Sequence, residues 1–201
     1  MTSEENLINN HIGNHMERIA EAAPAFSSAL PAAAETIVNS FLSEGQVLVC
    51  GNGKANALAQ FFCSSLLSHY EVDRPSLPAI NIGGDGTTFS SICMNQQLQE
   101  VFSRQIQALG REGDTLLLIT DDGSKSTMVQ ALQAAHDRQM RVIALTGKQE
   151  TDIHSLLHAD DIELPLSNVS SGEAAEIMIV ALNAMVALIE GMLFGGGQET
   201  A

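Results

Sequence analysis

The chain has no tryptophan and one tyrosine, and aromatic residues make up only 4% of its 201 positions. A core without aromatic bulk has to be filled by Ala, Leu, Ile, Val and Met, as in a helix-rich α/β protein. Cations are also scarce: 9 Lys and Arg face 24 Asp and Glu, a formal net charge of −15. Such a surface repels phosphate backbones and anionic lipid, which excludes direct binding to nucleic acid or a membrane surface and favours a basic partner. The three cysteines, Cys50, Cys63 and Cys93, lie in apolar runs without metal-type spacing and read as reduced core thiols of a cytoplasmic protein. The N-terminus, residues 1–6, is polar and acidic and has no signal-peptide pattern. There is no Pro/Ser-rich linker and no internal repeat, so a single structural domain is expected.

What the chain does have is a short apolar run, Val47 to Cys50, followed by Gly51-Asn52-Gly53-Lys54 and an Ala-, Leu- and Phe-rich stretch. The run reads as a strand buried on both faces. The glycines allow a tight turn, and the stretch from Ala55 to Leu67 reads as a helix. Strand, glycine turn and helix is where an α/β protein offers backbone N–H groups to an anion. Residues 4–42 carry two helical stretches interrupted by Pro24.

Further strands are expected at 78–82, 114–120, 141–146 and 162–165, the last at an edge, with helices at 87–94, 101–109, 125–140 and 171–194. Strands alternating with helices predict a parallel sheet of about five strands, covered on both faces in three α/β/α layers. Ligands in such sheets bind beyond the carboxyl ends of the strands, here 51–54, 83–87, 120–125 and 146–148. The apolar stretch 174–194 resembles a membrane span, but Glu176 and Glu190 leave only a short uncharged run where roughly 20 apolar residues are needed. It reads as a helix buried in a core or a subunit interface, with Met178, Met185 and Met192 as packing residues.

Other residues have plainer readings. His154 and His158 share a helical spacing but have no third ligand near them in sequence, so no metal site is expected. Glu176 reads as a capping or interface carboxylate, and Asp121-Asp122 as caps of the helix that follows.

Four segments carry a resemblance: Val-Leu-Val-Cys-Gly-Asn-Gly at 47–53, Arg-Pro-Ser-Leu-Pro-Ala-Ile at 74–80, Ala-Leu-Gly-Arg-Glu-Gly-Asp at 108–114 and Val-Ile-Ala-Leu-Thr-Gly-Lys at 142–148. With them the chain resembles the SIS (sugar isomerase) domain family, in the branch of phosphoheptose isomerase and DiaA, the DnaA initiator-associating protein. The resemblance implies residues 46–201 as the SIS domain and residues 1–45 as N-terminal helices that pack on it and form an oligomer interface. It also implies a homotetramer.

Phosphoheptose isomerases shift the carbonyl of sedoheptulose 7-phosphate between C1 and C2 with an acid and a base, and members often hold zinc with His, Glu and Gln. Carried over position by position, Ala55 stands where the family has a phosphate-binding Ser. Phe61 and Ser64 stand for a metal-binding His and a catalytic Glu. The second phosphate loop reads Thr120-Asp121-Asp122-Gly123-Ser124-Lys125, and the last helix has Ala175-Glu176-Ile177-Met178 where Gln-Glu-Ile-His is usual. Asn95-Gln96 replaces an Asn-Asp pair.

The expectation that follows is a vestigial sugar-phosphate pocket, formed by Gly51, Asn52, Gly53, Ala55, Phe61, Ser64, Thr120, Asp121, Asp122, Ser124, Lys125, Glu176 and Met178. It carries no catalytic residue, no metal and no cofactor. The implied role is a non-catalytic scaffold that binds DnaA through Leu193 and Phe194. An isomerase-like enzyme or a sugar-phosphate sensor is the alternative.

Overall fold

The computed structural model describes residues 2–71, 73–95, 97–122, 125–147, 152–166 and 170–195. Its first element is one helix, α1 (Ser3–Leu42), where two were expected. Pro24 and Pro31 lie inside it. Each proline lacks the N–H that would reach back four residues, a cost of about 3 kcal/mol in an isolated helix. Burial overrides that cost: Phe26, Leu30, Ala33, Ala34, Ile37 and Val38 sit in the core. A capping box between Thr2 and Glu5 opens the helix.

The remaining elements are β1 (Val47–Gly51), α2 (Ala55–Leu67), β2 (Ala79–Asn81), α3 (Gly86–Met94), α4 (Ser103–Leu109), β3 (Thr115–Thr120), α5 (Ser126–Asp137), β4 (Arg141–Thr146), α6 (Asp152–Leu156), β5 (Ile162–Pro165) and α7 (Ser171–Phe194). The helix expected at 101–109 starts two residues later, as α4, and a 3₁₀ turn, Leu98–Glu100, precedes it. The five residues of α6 are too few for a periodic signal.

The strands form one parallel sheet in the order β2-β1-β3-β4-β5. Alternate residues of each strand enter opposite layers. Val47, Val49, Leu117, Ile119, Ile143, Leu145 and Leu164 pack with α1, α2 and α7. Leu48, Cys50, Leu116, Leu118, Val142 and Ala144 pack with α4, α5 and α6. Burial keeps the Cys50 thiol protonated and pushes the Cys63 thiol up to about 12. The three cysteines are free.

The 23 residues from Gly172 to Phe194 are long and apolar enough to cross a membrane by length and composition alone. Here Ile177, Met178, Ala181, Leu182, Met185, Val186 and Ile189 are part of the core against α1 and α2. Met192, the third methionine of that spacing, is exposed instead.

Candidate functional site

The chain leaves β1 toward β2 on one side of the sheet and resumes at β3 on the other, so the strand order reverses between β1 and β3. A crevice forms beyond the carboxyl ends of strands at such a point. Two adjoining cavities occupy it. One, of about 250 Å³, is lined by Asn52, Gly53, Lys54, Ala55, Leu58, Asp121, Ala174, Ala175 and Met178. The second, of about 340 Å³, shares Asn52 and Gly53 and adds Gly51, Asn56, Gly83, Gly84, Gly86, Phe89 and Phe102.

The glycine turn builds the shared wall. A Cβ on Gly51 would lie 2.6 Å from the Ala55 backbone, and Gly53 has φ +54°. Both positions therefore need glycine. The amides of Ala55, Asn56 and Ala57 donate to the carbonyls of Asn52, Gly53 and Lys54 at 3.0, 3.2 and 3.0 Å. The turn thus satisfies these α2 amides itself. Asn52 exchanges two hydrogen bonds with the Thr127 hydroxyl, at 2.9 and 3.2 Å. The Asn56 amide donates to the Gly83 carbonyl at 3.1 Å. Its buried Oδ1 has no hydrogen-bond partner among the described residues.

Of the expected pocket residues, the structure brings Gly51, Asn52, Gly53, Ala55, Asp121 and Met178 together. Thr120 sits at the end of β3, where its hydroxyl donates to the Asp122 carbonyl at 3.0 Å and accepts from the Asp122 amide at 3.1 Å. Asp122 pairs with Lys125 at 3.4 Å. The N-cap position of α5 is Lys125 rather than either aspartate, and the Lys125 side chain makes no capping hydrogen bond. Ser124, like Gly123 and Gln96, lies outside the described residues.

Phe61 and Ser64 are not in the cavity walls. The Ser64 hydroxyl turns back to the Phe61 carbonyl at 2.8 Å. Glu176 turns away as well, onto His15 of α1. His154 pairs with Glu163 at 2.6 Å, and His158 stacks on His136. The Leu193-Phe194 pair divides: Leu193 packs on the core, while Phe194 is 39% exposed.

The expected pocket left out Lys54, although 51–54 was read as a ligand-binding strand end, and Asn56, Leu58, Phe89, Phe102 and Ala174 were not expected in the walls. Lys54 and Asn56 flank the recognised turn, so their place was available from local sequence. Ala174 arrives through the passage of α7 over the strand ends, which no local pattern reveals.

A doubly wound parallel sheet with a polar crevice at its switch point defines a ligand-binding α/β protein. The SIS domain family matches residues 10–147, and the chain belongs to that family. It is 41% identical over 175 residues to a phosphoheptose isomerase of Chromohalobacter salexigens, covering 87% of each chain. It is 36% identical to that of Colwellia psychrerythraea, covering 97% of this chain and 99% of the relative. Among solved structures, a phosphoheptose isomerase from Francisella tularensis superposes with a TM-score of 0.85 at 35% identity, covering 94% of this chain and 98% of the other.

These relatives overturn two expectations, the non-catalytic DnaA-binding scaffold and the absence of enzyme activity. The physical reason lies in where that reading looked. The substitutions behind it were Ala55, Phe61, Ser64, Asp121, Asp122 and Met178; Phe61 and Ser64 stand outside the two cavity walls, while Lys54, which lines one of them together with Asp121, was left out of the expected pocket. The zinc set the resemblance implied is a separate matter. Phe61, Ala175 and Met178 offer no hard or borderline donor at those positions, so the residues there do not fit a metal ion.

Proposed function

We propose that this protein is a sugar-phosphate isomerase of the phosphoheptose isomerase type, with the switch-point crevice as its active site. The observation that carries the reading is the likeness to phosphoheptose isomerases along nearly the whole of both chains, with TM-scores of 0.85 and 0.88 for two solved examples. The crevice has the fitting character: small residues, amides for sugar hydroxyls, and two ionisable side chains among the described lining residues, Lys54 and Asp121.

Moving a carbonyl between neighbouring carbons requires a base to take a proton from the carbon that bears the hydroxyl and return it to the former carbonyl carbon, while the hydroxyl proton passes to the carbonyl oxygen. In this reading Asp121 is that base. Lys54 attracts the phosphate, which the paired negative charges of Asp121 and Asp122 drive away from their own loop. The unpartnered Asn56 Oδ1 accepts a hydrogen bond from a sugar hydroxyl. The reading includes a cytoplasmic setting and self-association, with residues 1–45 as the interface of a homotetramer and residues 46–201 as the catalytic domain. Leu7, Ile8, Ile12 and Met16 support the interface, because they form an exposed apolar stripe on α1.

The test is conversion of sedoheptulose 7-phosphate by the pure protein. Wild type is expected to turn over. Asp121→Asn is expected to lose about 10²-fold or more in kcat, while Lys54→Ala raises KM. Absence of turnover in wild type, or an unimpaired Asp121→Asn, contradicts the proposal.

A further inference from the structure

We propose that His11, His15 and Glu176 form a divalent-metal site of the zinc class where α1 crosses the start of α7. His11 and His15 are one helical turn apart, so both rings project from the same side of α1, with centroids 4.0 Å apart. Glu176 comes from α7, 161 residues away in sequence from His15, and its carboxylate meets His15 Nδ1. One ligand atom from each residue lies within 4.8 Å of the other two. Tetrahedral zinc, with bonds of about 2.0–2.2 Å, requires donors roughly 3.4 Å apart. Binding an ion therefore replaces the direct His15–Glu176 contact with a bond from each to the metal and draws the third donor inward. Two imidazoles and a carboxylate with an open fourth position for water is a donor set that suits zinc.

The surrounding charge favours a cation. Arg18, the nearby positive group, is held by Glu21 at 2.7 Å and approached by Glu173 at 4.0 Å. The chain as a whole carries −15. A second cluster, His136, His158 and Asp161, meets the same distance criterion but is committed to the fold. Both Asp161 oxygens accept backbone N–H groups, from Val142 at 3.0 Å and His158 at 2.8 Å. The Asp161 carboxylate also binds His136 at 2.7 Å.

The proposed site is not the zinc set implied by the family resemblance, and it does not open on the crevice, whose α7 wall is Ala174, Ala175 and Met178. A metal there ties the outer half of α1 to α7. It is therefore a structural clamp, independent of the isomerase reading.

The experiment titrates full-length, chelator-treated protein with zinc chloride and counts bound zinc after dialysis by elemental mass spectrometry. One zinc per chain is expected for wild type and for His158→Ala. At least about tenfold weaker binding is expected for both His11→Ala and the conservative Glu176→Gln, with circular dichroism reading the fold of each. No zinc on wild type overturns the site, as does wild-type binding by either His11→Ala or Glu176→Gln, or loss of zinc in His158→Ala.

Discussion

Two glutamates on α7 carry the same charge into opposite surroundings. The Glu190 side chain is 2% exposed. It accepts from Arg74 Nε at 2.8 Å and from the amides of Tyr70 and Glu71 at 2.9 and 3.0 Å. Arg74 is itself sealed in, its other nitrogens donating to the carbonyls of Leu66, Ser65 and Pro75 at 2.8, 2.8 and 3.0 Å. The Glu176 side chain is 51% exposed and faces an imidazole. A buried carboxylate is tolerated only when its partners are complete, and it then serves the fold. A half-exposed carboxylate such as Glu176, solvated by water beside its histidine partner, needs no such complete set of protein partners.

The contrast can be broken most sharply at Arg74. Arg74→Met leaves the Glu190 charge buried without its cation, so a loss of about 3–5 kcal/mol is expected in urea unfolding. Adding Glu190→Gln to that variant should recover part of the loss, because the orphaned charge is gone. At the other end of the helix, Glu176→Gln is expected to change stability by no more than about 1 kcal/mol in metal-free protein. A large loss there would erase the distinction between the two glutamates.

A smaller effect is expected from exposed carboxylates held by local hydrogen bonds. The Thr88 hydroxyl at 2.5 Å, with the Thr87 amide, keeps the Asp85 carboxyl below its ordinary value. A group lowered in this way contributes stability above its unfolded pKa of about 3.9 and loses it as pH falls through the folded value. Thr88→Val should therefore lower stability modestly at neutral pH and flatten the acid destabilisation below about pH 4, so that variant and wild type converge at low pH, as read by denaturation at several pH values.

Much of the architecture was readable along the chain. β1, β3 and β4 are apolar runs bounded by turns; α2 has the expected limits from its apolar composition after the glycine turn, and α7 from its apolar composition and the Ser170–Glu173 capping box. The failure at Pro24 is instructive. Local propensity marks a break, yet the residues after it are locked into the core, and tertiary packing keeps α1 continuous.

The crevice was half readable for a related reason. The glycine turn announces itself, and Lys54 and Asn56 lie beside it, but its other wall arrives with α7. Arg74 stood inside a recognised segment without a role, since its partner Glu190 is 116 residues away. The pair His11 and His15 had a visible helical spacing, but its third member lies on the last helix.

In the proposed function the switch-point crevice performs proton transfer on a phosphorylated sugar. Incubating the protein with sedoheptulose 7-phosphate in heavy water and following the sugar by NMR tests it most directly. The account predicts deuterium entering at the carbon beside the carbonyl with wild type and almost none with Asp121→Asn. A sugar that keeps all its carbon-bound protons in the presence of the wild-type protein would contradict it.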